Sequence, residues 1–449
     1  MKAGANAQRK SLLFVSPIMP ADAGNGLAMR AGGFLEAFAQ DFDATVLVIP
    51  VADANPVINR FVKSRAKQVH VVTLAQHLDP LWRLCERVLA PSERIAAFAA
   101  YPRPALCRHA TSPCQDEIAG LLGAEKFDVI HVMRSYLVPY VSRHLIGAQR
   151  SGACLSSLDL DDDEPLCYQH IAALLSASGC DQDAMLAGRE SMKYQRHEAE
   201  CLRLFQLVIC GTSVHAARVV DMGFNGTVTV VSNTVSLPFQ ATSTRAERDE
   251  KRVLFVGNLS YFPNIDAVRH FVAEVLPRLS LLTLARIKFR IVGSAPPPTI
   301  TALARNDHSE GGSCVEVIAN VADVAPHYRW ADLVVVPLRA GSGTRIKLLE
   351  AFSYRVPVVS TPLGVAGLNP EHGKHLLLAS SPTEFADACG QLLRDRVRSD
   401  ALATQAFRLV CDRYTRAAGV SSIRAAIHSA MCSAAARLRC APASAGTSK

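Results

Sequence analysis

Val334-Val-Val-Pro-Leu-Arg-Ala-Gly-Ser-Gly-Thr-Arg-Ile-Lys-Leu-Leu-Glu-Ala-Phe-Ser-Tyr-Arg-Val-Pro-Val-Val-Ser360 reads as a strand, a glycine-rich turn, a helix and a second strand. The apolar run 333–336 is short and β-branched, as a parallel strand buried on both faces would be. Gly341 and Gly343 let the backbone approach a ligand with no Cβ in the way. The helix that follows points its free N–H groups at the turn, which makes an anion site. Arg345 and Lys347 add positive charge, and Glu350 lies one turn beyond Lys347, close to the same face. N–H and cationic groups suit a diphosphate, and a carboxylate suits ribose hydroxyls, so together they fit a nucleotide. A βαβ unit with an ordinary turn and solvated charges uses the same residues, so local chemistry leaves both readings open.

The segment resembles the donor-binding motif of retaining GT-B glycosyltransferases, in its Gly-Ser-Gly-Thr-Arg-x-Lys form, and the match runs on to residue 368. A second block, Val253-Leu-Phe-Val-Gly-Asn-Leu-Ser-Tyr-Phe-Pro-Asn-Ile-Asp-Ala-Val268, is similar to the start of the same family's donor domain. The resemblance implies two Rossmann-like doubly wound α/β domains with a cleft between them and C-terminal helices crossing back. It implies a hexosyltransferase-type enzyme that moves a sugar from a nucleotide-sugar donor to a polysaccharide, glycolipid or lipid-linked acceptor, with retention and without metal or other cofactor. Donor contacts would come from Gly257, Asn258, Gly341, Ser342, Gly343, Thr344 and Glu350, the last on the ribose. Arg345 and Lys347 would stabilise the leaving diphosphate. The motif commonly has a first glutamate, near the transferred sugar, where this chain has Ser342.

A chain of 449 residues suits two domains of roughly 200 residues each. Hydrophobic residues make up 49% and charged residues 20%, which excludes a disordered chain. No apolar run reaches the roughly 18 residues that a membrane span needs. The apolar stretch 12–15 is too short for a signal segment, so a cytoplasmic location is expected. The thirteen cysteines include no Cys-x-x-Cys pair, which excludes a zinc ribbon and a thioredoxin motif and points to reduced thiols. The net charge of +8 is spread along the chain without a basic run, so nucleic acid is not an expected partner. A peripheral contact with the inner face of a membrane stays open, because such transferases often use lipid-linked acceptors.

Strand-like runs alternate with helix-length segments almost throughout. They fall at 11–17, 44–51, 68–74, 129–133, 155–160, 207–210 and 227–231, then at 252–257, 288–293, 314–318, 333–337, 357–360 and 375–378. Two such sets predict two doubly wound parallel sheets. The expected organisation is an acceptor-binding domain at 1–240, a polar linker, a nucleotide-sugar domain at 250–400, crossover helices at 401–438 and a disordered tail at 439–449. Residues 76–126 carry five prolines and read as irregular cover over the cleft.

Gly24-Asn25-Gly26 follows the first strand and precedes a helix that carries Arg30. A dinucleotide fingerprint would need a third glycine at position 29, which is Met, so a dehydrogenase is disfavoured. By resemblance these four residues belong to the loop that closes over the diphosphate and meets the acceptor; otherwise Gly24, Asn25 and Gly26 form a tight turn, and Arg30, one turn into the helix, faces either the cleft or solvent. Where the family often shows His-x-His, His131 keeps the first position and Met133 replaces the second. His131 is therefore read as a core residue and Arg134 as the polar cleft contact. The acidic run 159–164 is read as a solvated turn or helix start, with contact to the acceptor as the lesser reading. The segment 259–264 has no Lys or Arg after Gly257, which leaves Arg345 and Lys347 to neutralise the diphosphate. A nucleotide-sugar epimerase of the same architecture and a non-catalytic nucleotide-sugar-binding protein remain as alternatives.

Overall fold

In the computed structural model, residues 9–53, 55–152, 154–238, 249–283, 285–306, 313–343 and 345–440 are described. Thr344, residues 240–248 of the expected linker and residues 441–449 of the expected tail lie outside them. The first sheet contains β1 (Lys10–Ser16), β2 (Phe42–Val48), β3 (Gln68–Val71), β4 (Val129–Met133), β5 (Leu155–Asp161), β6 (Leu207–Cys210) and β7 (Thr227–Val230). Its order is β3-β2-β1-β4-β5-β6-β7. Every pairing in it is parallel. The second contains β8 (Glu250–Val256), β9 (Arg286–Gly293), β10 (Arg305–Asn306), β11 (Ser313–Ala319), β12 (Leu333–Val336), β13 (Val358–Ser360) and β14 (Leu377–Leu378), in the order β10-β11-β9-β8-β12-β13-β14. Each expected strand is present within a few residues. β10 was not expected; two residues antiparallel to β11 leave no periodic signal.

The central strands are buried on both faces, which is why they read as unbroken apolar runs: Leu12, Leu13, Phe14 and Val15 are fully buried, as are Leu333, Val335 and Val336. Two apolar clusters flank the first sheet and one larger cluster encloses the second. Residues 76–126 are more regular than expected. They form helices Pro80–Glu86, Pro91–Ala100 and Ser112–Leu122, each with proline in its first turn. Three of the prolines that suggested irregularity therefore start helices, where a missing N–H costs nothing.

The two terminal helices divide between the domains. Helix Arg396–Arg413 puts Leu402, Ala406 and Val410 into the second core. Helix Arg416–Cys440 puts Val420, Ile423 and Ile427 into the first. Only the last helix crosses back, so the expected crossover unit at 401–438 is corrected. Where the chain returns, Val235 donates to Tyr414 O and Arg416 donates to Val235 O, both at 2.9 Å. Arg416 also donates to Met29 O at 2.6 Å and pairs with Glu36 at 3.0 Å. Arg424 holds Asp41 through two bonds of 2.7 Å.

Helix Gly26–Asp41 receives this crossover and carries Gly32 and Gly33 in its interior, where glycine is normally unfavourable. A Cβ on Gly32 would lie 1.9 Å from Ala21 O and 2.9 Å from Arg416 Nη2, whereas a Cβ on Gly33 would meet only Arg416 and Ile423 side-chain atoms, at 3.4 Å or more. Gly32→Ala is therefore expected to destabilise the protein by about 1–3 kcal/mol, the usual cost of overpacking. Gly33→Ala should be neutral or slightly stabilising. Urea denaturation of the two variants checks this, and equal midpoints would show that the close approach to Ala21 does not constrain the helix.

Candidate active site

A cavity of about 1300 Å³ lies between the domains. The strand order of the first sheet reverses between β1 and β4, and that of the second between β8 and β12. Ligands of open parallel sheets bind beyond the carboxyl ends of the strands at such reversals. The cavity lining follows that rule on both sides. Gly24, Asn25 and Gly26 follow β1, and Arg134 follows β4. Gly257 and Asn258 follow β8, while Arg345, Lys347 and Glu350 come after β12.

On the second-domain wall, Lys347 reaches back across the sheet. Its Nζ donates to Asn264 Oδ1 at 2.5 Å and lies 4.3 Å from the centre of the Phe255 ring. A Cβ on Gly257 would come within 2.8 Å of that nitrogen, so glycine makes room for it. Burial, and then the nearby Arg345 charge, lowers the Lys347 pKa to about 7. Glu350 accepts from the buried Tyr328 hydroxyl at 2.8 Å, and burial raises its pKa to about 7. Arg345 is 8% exposed. Its Nε and Nη2 are buried without a hydrogen-bond partner, and no carboxylate pairs with it among the described residues. An unpaired buried guanidinium is costly unless an anion completes it.

The first-domain wall is acidic and densely paired. Arg134 and Asp161 have φ of 69° and 51°, a left-handed conformation unusual for such residues. Arg134 contacts Asp161, Asp162 and Glu164, each at 3.3 Å. It lines the cavity as expected of a polar cleft residue, but its charge is already committed. Asp163 caps helix Glu164–Ala177 and pairs with Arg218 at 2.7 Å. The run 159–164 thus spans the end of β5 and the start of a helix, and its carboxylates are paired and, apart from the part-exposed Asp162, buried rather than solvated, which corrects that part of the expectation.

Two further placements differ from the sequence reading. Arg30 is not in the cavity lining; it grips Asp159 through bonds of 2.7 and 2.6 Å, and donates to Val231 O and Asn233. It ties its helix to β5 instead of meeting a ligand. Gly341, Ser342 and Gly343 are buried and do not line the cavity either. The Arg345 guanidinium lies 2.9 Å from where a Gly341 Cβ would be, and Asp162 Oδ1 lies 1.5 Å from that of Gly343. Ser342 Oγ donates to Asp163 O at 2.7 Å. The missing Cβ atoms admit the chain's own charged groups. His131 is a core residue, stacked on Phe34 with ring centres 4.5 Å apart and bonded to Ser157 at 2.8 Å.

Sequence reasoning missed Asn264 and Tyr328, which hold Lys347 and Glu350, and gave a cleft position for the acidic run only as the lesser reading, whereas Asp161 and Asp162 line the cavity. The absence of a cation in 259–264 was the one available hint that Lys347 must fill that space.

Residues 250–395 match the family model Glycosyl transferases group 1. Over 173 residues the chain is 26% identical to an uncharacterized 44.6 kDa protein in the cps region of Klebsiella pneumoniae. That match spans 38% of this chain and 44% of the Klebsiella protein, less than half the length of that relative. Sucrose-phosphate synthase from Thermosynechococcus elongatus superposes with a TM-score of 0.64 at 14% identity, covering 95% of this chain and all of that one. Anabaena HepE in complex with UDP-glucose superposes with a TM-score of 0.59 at 15% identity, covering 94% of this chain and all of that one. An S. aureus TarM variant bound to fondaparinux, α-GlcNAc-glycerol and UDP gives 0.61 at 10% identity, covering 94% of this chain and 99% of that one. The chain has the GT-B fold of these glycosyltransferase structures.

Arg134 and Arg345 should respond oppositely to removal. Arg134→Ala leaves the buried Glu164 without its cation and takes one cation from Asp161 and Asp162, and is expected to cost about 3–5 kcal/mol of stability. Arg345→Ala removes an unpaired buried charge and should leave the ligand-free protein as stable as before, or more so. Denaturant melts of the two variants decide it; a large loss on removing Arg345 would mean that its charge is already satisfied.

Proposed function

We propose that the protein is a glycosyltransferase that binds a nucleotide-sugar on the second-domain wall and a glycan or lipid-linked acceptor on the first, transferring the sugar with retention and without a metal. The observation that carries this reading is the unpaired Arg345 guanidinium beside Lys347 at the β8/β12 reversal, with Glu350 one turn further on. A nucleoside diphosphate supplies the missing anion and the ribose hydroxyls together. Buried cations aimed at the leaving diphosphate stabilise charge as it develops, with little reorganisation. Closure of the two walls over the substrates keeps water from competing with the acceptor. The family match at 250–395 and the UDP-glucose bound by HepE make UDP-sugars the first donors to try.

Calorimetry with UDP tests donor binding. Glu350→Ala should weaken it by about 1.5–3 kcal/mol, the worth of a charged hydrogen bond. Free Lys347 titrates near 7, so at about pH 8.5 it is mostly neutral; a diphosphate beside it favours the ammonium and raises its pKa. Binding at that pH should therefore take up protons, measured as a difference in heat between buffers of unlike ionisation enthalpy. Glu350, raised to about 7, is mostly ionised there, so the larger part of the signal belongs to Lys347. Lys347→Met should remove most of the uptake, and no uptake by the unaltered protein would remove Lys347 from the diphosphate.

Transfer in EDTA tests the chemistry. The rate should persist, and Lys347→Ala should lower it by about 100–1,000-fold, more than it weakens donor binding. With its guanidinium buried inward, Arg345→Ala is expected to cost a comparable factor. Near-normal turnover in the double variant would place the leaving group elsewhere.

A further inference from the structure

The helices Pro80–Glu86 and Pro91–Ala100 form a hairpin whose inner face is well satisfied. The Trp82 ring centre lies 4.7 Å from that of Phe98 and 5.0 Å from that of Tyr101. Tyr101 donates to Asp79 at 2.9 Å, and Lys193 Nζ donates to Phe98 O at 2.9 Å, pinning the hairpin to the helix Asp181–Leu202. Its outer face is different. Leu81, Leu84 and Leu89 are 46%, 58% and 91% exposed, Leu89 more than any other large apolar side chain among the described residues. Around them Arg83, Arg87 and Arg94 are exposed, and none forms an ion pair among the described residues. Of the neighbouring acids, Glu86 accepts from the Trp82 indole at 3.0 Å and Glu93 sits in the first turn of its helix.

Exposed leucines flanked by long cationic side chains are the composition of an interfacial segment: the apolar groups enter the acyl boundary while the guanidinium groups stay among headgroups. From this geometry we infer that the hairpin docks on an anionic lipid surface. Its position gives the contact a purpose. The chain enters the hairpin from Leu74 and Ala75 and leaves it toward Leu106, Arg108 and His109, and all five line the cavity. The Arg108 guanidinium lies 5.5 Å over the Trp82 ring. A docked hairpin therefore holds the first-domain rim of the cavity against the lipid, where a lipid-linked acceptor would enter. No described helix is long and apolar enough to cross a membrane, so the contact is peripheral. The inference adds a surface to the acceptor half of the proposed function, yet its test contains no nucleotide, so either can fail alone.

The test is co-sedimentation with vesicles of phosphatidylcholine, alone or with about 30% phosphatidylglycerol. The protein should pellet with the mixed vesicles, less with phosphatidylcholine alone, and be released by salt. Leu84→Ser with Leu89→Ser should abolish pelleting, with the melting temperature unchanged because neither leucine is buried. Arg83→Ala, Arg87→Ala and Arg94→Ala should each weaken binding about fivefold. Protein that stays in solution with the mixed vesicles overturns the inference and leaves the leucines as a contact for another protein. Undiminished pelleting of the double leucine variant overturns it as well, by placing the lipid contact elsewhere.

Discussion

The Asp162 carboxylate occupies the space that a side chain on Gly343 would fill, and the cleft takes its shape from that contact. It joins the turn after β12 to the start of a first-domain helix. Around it Ser342 donates to Asp163 O, His170 Nδ1 meets Gly341 O at 3.1 Å, and the Cys167 thiol meets the Tyr261 hydroxyl at 3.0 Å. The second tether lies at the chain crossings, where Val235 is bonded to the segment 414–416. A cavity held between a clasp and a crossing can vary its width only if one of them gives. The crossing is backbone-bonded and backed by Arg416 and Arg424, so the clasp is the more easily released of the two.

Charge separates the walls of that cavity. On the first-domain side Asp159, Asp161, Asp162, Asp163, Glu164 and Glu198 share three cations among the described residues, Arg30, Arg134 and Arg218. Burial resolves part of the excess by favouring protonation: Glu164 is pushed well up and Glu198 to about 7. Across the gap no carboxylate pairs with Arg345 among the described residues, and Lys347 is pushed toward its neutral form. The acids of the first-domain side are thus paired or protonated, and the buried cation left for a phosphate to meet is Arg345 on the other wall.

The fold was legible because it rests on local signals. Parallel strands buried on both faces announce themselves as apolar runs, and β8, β12 and the helix after β12 lie in the two blocks that carried the family resemblance. What was not legible depends on partners far away in sequence. Nothing near Arg30 predicts Asp159, 129 residues on, and without that partner a charge one turn into a helix reads as equally able to face a cleft or solvent. The acidic run 159–164 looks solvated until Arg134 and Arg218 are brought beside it. The prolines of 76–126 mark helix starts as readily as loops, and only the packing of Trp82 against Phe98 and Tyr101 distinguishes the two.

The same distance effect governs both departures from the resembled motif. The segment after Gly257 lacks a cation, yet the end of β8 is not without one: Lys347, ninety residues away by chain, lies over Phe255 and bonds Asn264. Ser342 stands where a carboxylate was expected and turns its hydroxyl to Asp163 O, yet an acidic group does lie at that turn, because Asp162 arrives from the other domain. Charge of each sign is thus present at the place where the motif led one to look, delivered from a different element. A site of this kind is defined by which groups occupy which volume, and glycine matters in it as the residue that leaves the volume free: Gly257 for the ammonium, Gly341 for the guanidinium and Gly343 for the carboxylate.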